Sequence, residues 1–204
     1  MRWTLPALLC LLAACVPSKR REVDSPSQVG SGDVLVLGRI RLTPPLGADD
    51  QKLSWVVSGW RGKVMVVLGD EPTPIERPFN ISEYSGRIEA PPDREFSVAL
   101  PRRSFAIRGC VVPLDVSGGP TDEALLPGGY RVDVHPDDSA VYIGTLHYRH
   151  DEFWKITMVE VEDDYDRVVS ECRKQWGGSV VPRKALLSPA DVGSRGRQIV
   201  TPKK

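Results

Sequence analysis

The chain has 204 residues, 27 basic and 27 acidic side chains, no formal net charge and 41% hydrophobic residues. Such balance gives no sign of a nucleic-acid partner, and the apolar content suffices for one hydrophobic core of ordinary domain size. Taken in order, the chain then divides into an address, a linker, a β-rich body and a polar end.

Residues 2–15 read Arg-Trp-Thr-Leu-Pro-Ala-Leu-Leu-Cys-Leu-Leu-Ala-Ala-Cys. One positive charge precedes an apolar run too short to span a bilayer and ending in small residues, the layout of an export signal. Leu12-Ala13-Ala14-Cys15 resembles the bacterial lipobox, in which the cysteine receives a lipid and becomes the new N-terminus. Ordinary signal cleavage wants a small residue where Leu12 stands, and Leu9 is too large to place the cut at Cys10. The resemblance implies a signal peptide over 1–14, a lipidated Cys15 and a protein held to the membrane by acyl chains rather than by a spanning helix. Lipoproteins kept in the inner membrane tend to carry Asp after the lipidated cysteine; Val16 and Pro17 stand here, which favours the outer membrane, with the periplasmic or surface face left open.

Cys10 leaves with such a signal and Cys15 is committed to lipid, so Cys110 and Cys172 remain as a pair in an oxidising compartment. A disulfide between them is the economical expectation and would constrain the unfolded chain by about 4 kcal/mol. Two buried thiols, or half of a metal site, stay open as alternatives.

Residues 15–32 are rich in Ser, Pro, Gly and charge, with little to bury, and are expected to form a flexible tether. The body is expected over 33–187. Its first strand, Val34 to Leu42, is apolar on both faces in its first half and alternates in its second, with Gly38, Ile40 and Leu42 on one side and Arg39 and Arg41 on the other. Strands are predicted at Leu53 to Ser58, at Lys63 to Leu68 and near Gly86 to Ala90, the last within an irregular excursion that carries the sequon Asn80-Ile81-Ser82, without consequence in a bacterial lipoprotein.

Two later stretches set a Leu-Pro pair before an aromatic-led strand: Leu100-Pro101 before Phe105-Ala106-Ile107, and Leu126-Pro127-Gly128-Gly129 before Tyr130-Arg131-Val132. They resemble the Leu-Pro-x-Gly-x-Tyr-x-Val signature of prealbumin-like, or carboxypeptidase regulatory-like, modules, although the first copy lacks the glycine. That likeness implies a mainly β fold, an immunoglobulin-like antiparallel sandwich without catalysis of its own.

Ala140 to Tyr148 and Phe153 to Val161 are predicted to form a hairpin. One amphipathic helix follows near 164–176, capped by Asp163 or Asp164 and stopped by Gly177-Gly178. Tyr165, Val168, Val169, Cys172 and Trp176 share its inward face. Residues 188–204 are expected to be a disordered tail.

The chemical candidates are few, and no cofactor is called for. His147, His150 and Glu152 offer metal-ligand types for a hydrolase, but side chains three apart on a strand point to opposite faces. The acidic run Glu160, Glu162, Asp163, Asp164 and Asp166 lacks the glycine of a calcium loop and is read as a helix start. Ser117 has no nucleophile-elbow frame. Trp60 and Trp154, near strands, are candidates for stacking on a glycan. The expectation is therefore a lipid-anchored, non-catalytic cell-envelope protein that binds an unidentified envelope protein or glycan. A metal-dependent hydrolase and a carbohydrate-binding module are the alternatives.

Overall fold

The computed structural model describes residues 19–20, 22–51, 61–75, 86–114 and 122–190. Cys15, the expected strand from Leu53 to Ser58, Trp55, Trp60, Asn80 and Ser117 lie outside them. Among the described residues, eleven strands and one α-helix form two packed sheets. The strands are β1 (Lys19–Arg20), β2 (Asp33–Thr43), β3 (Val64–Gly69), β4 (Arg87–Ala90), β5 (Glu95–Pro101), β6 (Phe105–Leu114), β7 (Asp122–Val132), β8 (Ala140–His150), β9 (Ile156–Glu162), β10 (Arg183–Lys184) and β11 (Ser188–Pro189). Helix α1 spans Tyr165–Trp176. The first sheet runs β1-β4-β3-β6-β7-β11; the second runs β10-β8-β2-β5, with β9 also on β8. The protein is thus a mainly β sandwich with a single helix, as the strand patterns suggest.

The pairing is mixed rather than wholly antiparallel. β2 runs parallel to β8, and the short strands β1 and β10 pair in parallel with β4 and β8. β2 and β8 are far apart in the chain, so no tight turn forces them to run in opposite directions.

Alternation decides what each face of β2 meets. Val34, Val36, Ile40 and Leu42 enter the core between the sheets, together with Val66, Ile107, Leu126 and Leu146. Leu35 and Leu37 point the other way, under α1, where Val168 and Cys172 join Ala140 and Tyr142. This is why the first half of β2 is apolar on both faces: helix covers one and sheet the other. Burying each such side chain contributes ~1.5–3 kcal/mol, ample to dock a helix that would be marginal alone.

Two glycines set the geometry of the strands. At Gly128 a Cβ would stand 2.1 Å from the Arg108 carbonyl group, so only glycine lets β6 and β7 approach there, and the Leu-Pro-Gly-Gly stretch lies inside β7 rather than before it. Gly144 has φ +95° and sits at a register shift of β8 against β2, where the residues partnered skip from Tyr142 to Thr145. That extra residue reverses the alternation: Val141 and Ile143 face the core before it, Leu146 and Tyr148 after it.

Both ends of the described chain are held. β1 lies on β4, Glu22 bridges to Val98, and the Val23 N–H donates to the Ser97 carbonyl at 2.7 Å while Ser97 Oγ donates back at 2.9 Å. Val23 is only 5% exposed, among Leu35, Leu37 and Cys172. Lys19, Arg20, Glu22 and Val23, within the stretch expected as a flexible tether, therefore pair with the sandwich; backbone hydrogen bonds along a strand edge need no hydrophobic run. On the opposite side β10 pairs with β8, Ala185 and Leu187 enter the core, and β11 pairs with β7, so ordered structure continues through the first residues of the expected tail.

The cysteine expectation is corrected. Cys110 and Cys172 are both free and buried. Cys110 lies between the sheets, with Sγ 3.6 Å from the Tyr148 hydroxyl, whereas Cys172 packs on the far face of the second sheet. The sheet itself separates them, and a disulfide cannot pass through a packed strand layer. Burial pushes the Cys110 thiol up to about 12 and the Cys172 thiol up to about 11.

Protein purified without reductant and then denatured should yield alkylated Cys110 and Cys172 by peptide mass, with a melting temperature indifferent to reductant; a linked peptide pair would contradict this arrangement. A second expectation concerns Glu123 on β7, whose Oε2 is buried without a hydrogen-bond partner among the described residues and whose pKa burial raises to about 7. The folded state binds that proton more tightly than the unfolded chain, so this group's stabilisation is complete below the ordinary carboxylate range and fades as pH rises through 7. Glu123→Gln should therefore gain stability on wild type between pH 5 and 8 in thermal melts; a constant difference across that range would refute the assignment.

Candidate functional site

Beyond the reach of α1, the outer face of the second sheet turns polar, and the strand register builds a small lattice there. Arg39 stands beside Thr145, Arg41 beside His147 and Thr43 beside Arg149 on β2 and β8; Thr145 and His147 stand beside Glu162 and Glu160 on β9. The β8 bulge puts His147 on this face. Cross-strand and diagonal neighbours lie within side-chain reach, so opposite charges at period two pair across the sheet.

Arg41 donates to Glu162 Oε2 at 2.6 Å and Arg39 Nε donates to Thr145 Oγ1 at 3.1 Å. Arg39 also pairs with Asp164, and Arg149 with Glu160 at 3.4 Å. Lys184 pairs with Asp163. The acidic run is thus divided among the cations of three strands. Asp164 stands at the N-cap position of α1, yet its side chain caps nothing; the Asp163 carboxylate instead accepts from the Tyr165 N–H at 3.1 Å.

At the centre, His147 is 4% exposed and Glu162 6%. His147 Nδ1 lies 2.9 Å from Glu162 Oε1, and Nε2 lies 2.7 Å from Thr43 Oγ1. The carboxylate only accepts, so Nδ1 carries the proton, and Nε2 is left to accept from the Thr43 hydroxyl. Hydroxyl, imidazole and carboxylate stand here in the order used for acyl transfer. Two features oppose that chemistry. The residue after Thr43 is Pro44, which has no N–H to give to an oxyanion at the usual position, and the second Glu162 oxygen is held by Arg41.

His147, Glu160 and Glu162 also place one donor atom each within 4.8 Å of one another, the only such group among the described residues. Their donor types suit zinc. However, Arg41 and Arg149 already neutralise the two carboxylates, so a divalent ion would have to displace both.

The residues expected from sequence are not brought together. His150 leaves this site: Nδ1 is 2.8 Å from the Asp151 carbonyl oxygen, Nε2 is 3.0 Å from that of Pro44, and the ring stacks on Trp154 at 4.1 Å. Glu152 is exposed in the β8–β9 turn. The trio His147, His150 and Glu152 is therefore no metal site, because the strand turns its first two members apart. Trp154 has one ring face covered by His150 and packs against the core, which removes that face as a glycan platform. Phe153, beside it, is 80% exposed.

Sequence reading missed Thr43, Glu160 and Glu162 as neighbours of His147. The available signal was the matched alternation of Arg39, Arg41 and Thr43 with Glu160, Glu162 and Asp164. Comparison of the chain with known protein families, characterised proteins and solved structures finds no match.

Glu162→Gln should destabilise the protein by about 2 kcal/mol in urea unfolding at neutral pH, since Arg41 and His147 lose a charged acceptor together. Thr43→Val, which removes one exposed hydroxyl, should cost less than ~1 kcal/mol. The reverse order would mean that the lattice is not centred on Glu162.

Proposed function

We propose that this is a lipid-anchored, non-catalytic protein of the bacterial cell envelope, tethered through Cys15 and placed in the outer membrane. The observation that carries the reading is Leu12-Ala13-Ala14-Cys15 at the end of a short apolar run. Support for a non-catalytic role comes from the way the reactive groups are occupied. Both described thiols are pushed far above neutrality by burial. Among the described residues, the His147–Thr43 pair is followed by Pro44, which has no N–H to donate, and Glu160, Glu162 and Asp164 are paired with arginines. A rigid sandwich of this kind serves as a binding or structural module for another envelope protein or a glycan.

One observation favours a second reading, a metal-dependent hydrolase: the approach of His147, Glu160 and Glu162. It is the weaker one, because both carboxylates are already charge-paired. In that case zinc would raise the melting temperature, and His147→Ala would abolish the rise.

Cys15→Ser should move the protein from the membrane pellet to the soluble fraction and abolish incorporation of labelled fatty acid. Retention of the variant in the pellet after a high-salt wash would contradict the anchor.

A further inference from the structure

We infer that the end of the sandwich where β1 begins beside Arg87 rests against the phospholipid headgroups of the membrane that anchors the protein; the inference rests on the lipoprotein reading of Cys15. A linker of the length first expected, ending at residue 32, would let the body range ~60 Å from the bilayer at ~3.5 Å per residue. The sandwich instead already holds Lys19 and Arg20, which pair with Arg87 and Ile88. Only Val16, Pro17 and Ser18 stand between the anchor and the first fixed residue, which limits the Cα separation of Cys15 and Lys19 to ~14 Å. That distance is about twice the ~5–7 Å depth of the headgroup layer, so Lys19, where the strap begins, stays close to the surface.

The strap is not easily peeled away. Glu22 bridges to Val98, the Val23 N–H donates to Ser97 at 2.7 Å, Trp176 Nε1 donates to the Asp24 carbonyl at 3.2 Å, and the buried Val23 lies between β2 and α1. These contacts tie it to both sheets and to the helix at once. Its charge suits an anionic surface, since Lys19, Arg20 and Arg21 follow the anchor in sequence.

The same register fixes what faces away. Lys19 lies opposite Arg87, which pairs with Val67, close to the end where Gly69 meets Ala106. The β8–β9 turn carrying Phe153 lies at the other end of the strands, where Thr43 meets Arg149, ~30 Å away along β2. Phe153 and the Thr43–His147–Glu162 lattice are thus held toward the aqueous side, at a height set by the protein rather than by a floating linker.

The test uses full-length lipidated protein in phosphatidylglycerol-containing vesicles, with an environment-sensitive fluorophore at Glu22→Cys or at Phe153→Cys and nitroxide-headgroup lipid as quencher. The expected result is strong quenching at Glu22 and little at Phe153. A Gly/Ser spacer of about twelve residues between Ser18 and Lys19, adding ~20 Å of coil, should abolish the quenching at Glu22 while the protein stays on the vesicles. Equal quenching at the two positions, or quenching at Glu22 that ignores the spacer, would overturn the inference while leaving the anchor intact. Free protein with an unmodified Cys15 by mass would overturn the lipoprotein reading itself, and the docking with it.

Discussion

A strand buried on both faces dictates the rest of this architecture. β8 is covered without interruption from Ala140 to Tyr148, and it hydrogen-bonds to β2 on one side and to β10 and β9 on the other. The inner face of its sheet is served by the facing sheet. For the outer face the chain supplies two coverings: α1 over Ala140 and Tyr142, and the charged lattice over Thr145 and His147. The Gly144 bulge marks the boundary between them, where the alternation reverses and the covering changes from apolar to ionic.

Open sandwiches expose unpaired strand edges, which invite association with other chains. This protein covers one side with β1 on β4 and with Glu22 and Val23 on β5, and the other with residues 183–189, which run from β8 to β7. Both segments are short and paired through their backbones, and each sends side chains inward, Val23 from the first and Ala185 and Leu187 from the second. The second is also pinned by a buried carboxylate: Arg183 reaches Asp138 through two hydrogen bonds of 2.7 and 2.6 Å, which holds the Asp138 pKa down. Since Cys110 and Cys172 are not joined, these clips and the docking of α1 hold the ends of the described residues to the sandwich.

What was legible in the sequence is what periodicity encodes. The two-faced first half of β2 and its alternating second half, the β8–β9 hairpin and the apolar stripe of α1 all follow from spacing alone, and they fix the fold class. Residues 19–23 were read as linker because backbone pairing leaves no hydrophobic trace. The disulfide failed for a related reason: an inward-facing Cys172 says that the helix is docked, not which face of the sheet it docks on. His147 was correctly separated from His150 by strand geometry, but its true neighbours depend on which strands lie side by side, and the parallel β2–β8 pair joins segments far apart in sequence. The Leu-Pro-Gly-Gly stretch was placed before its strand because glycine usually marks a turn; here Gly128 serves close approach of two backbones inside a strand.

The central claim is that doubly covered β8 is the structural core, with the second sheet unable to open until both coverings are lost. Native-state amide hydrogen exchange tests it most directly. The account predicts that amides from Val141 to Tyr148 exchange only through global unfolding, more slowly than those of β9, which is paired on one side alone. Exchange of β8 at the rate of β9, or before α1 has undocked, would contradict it.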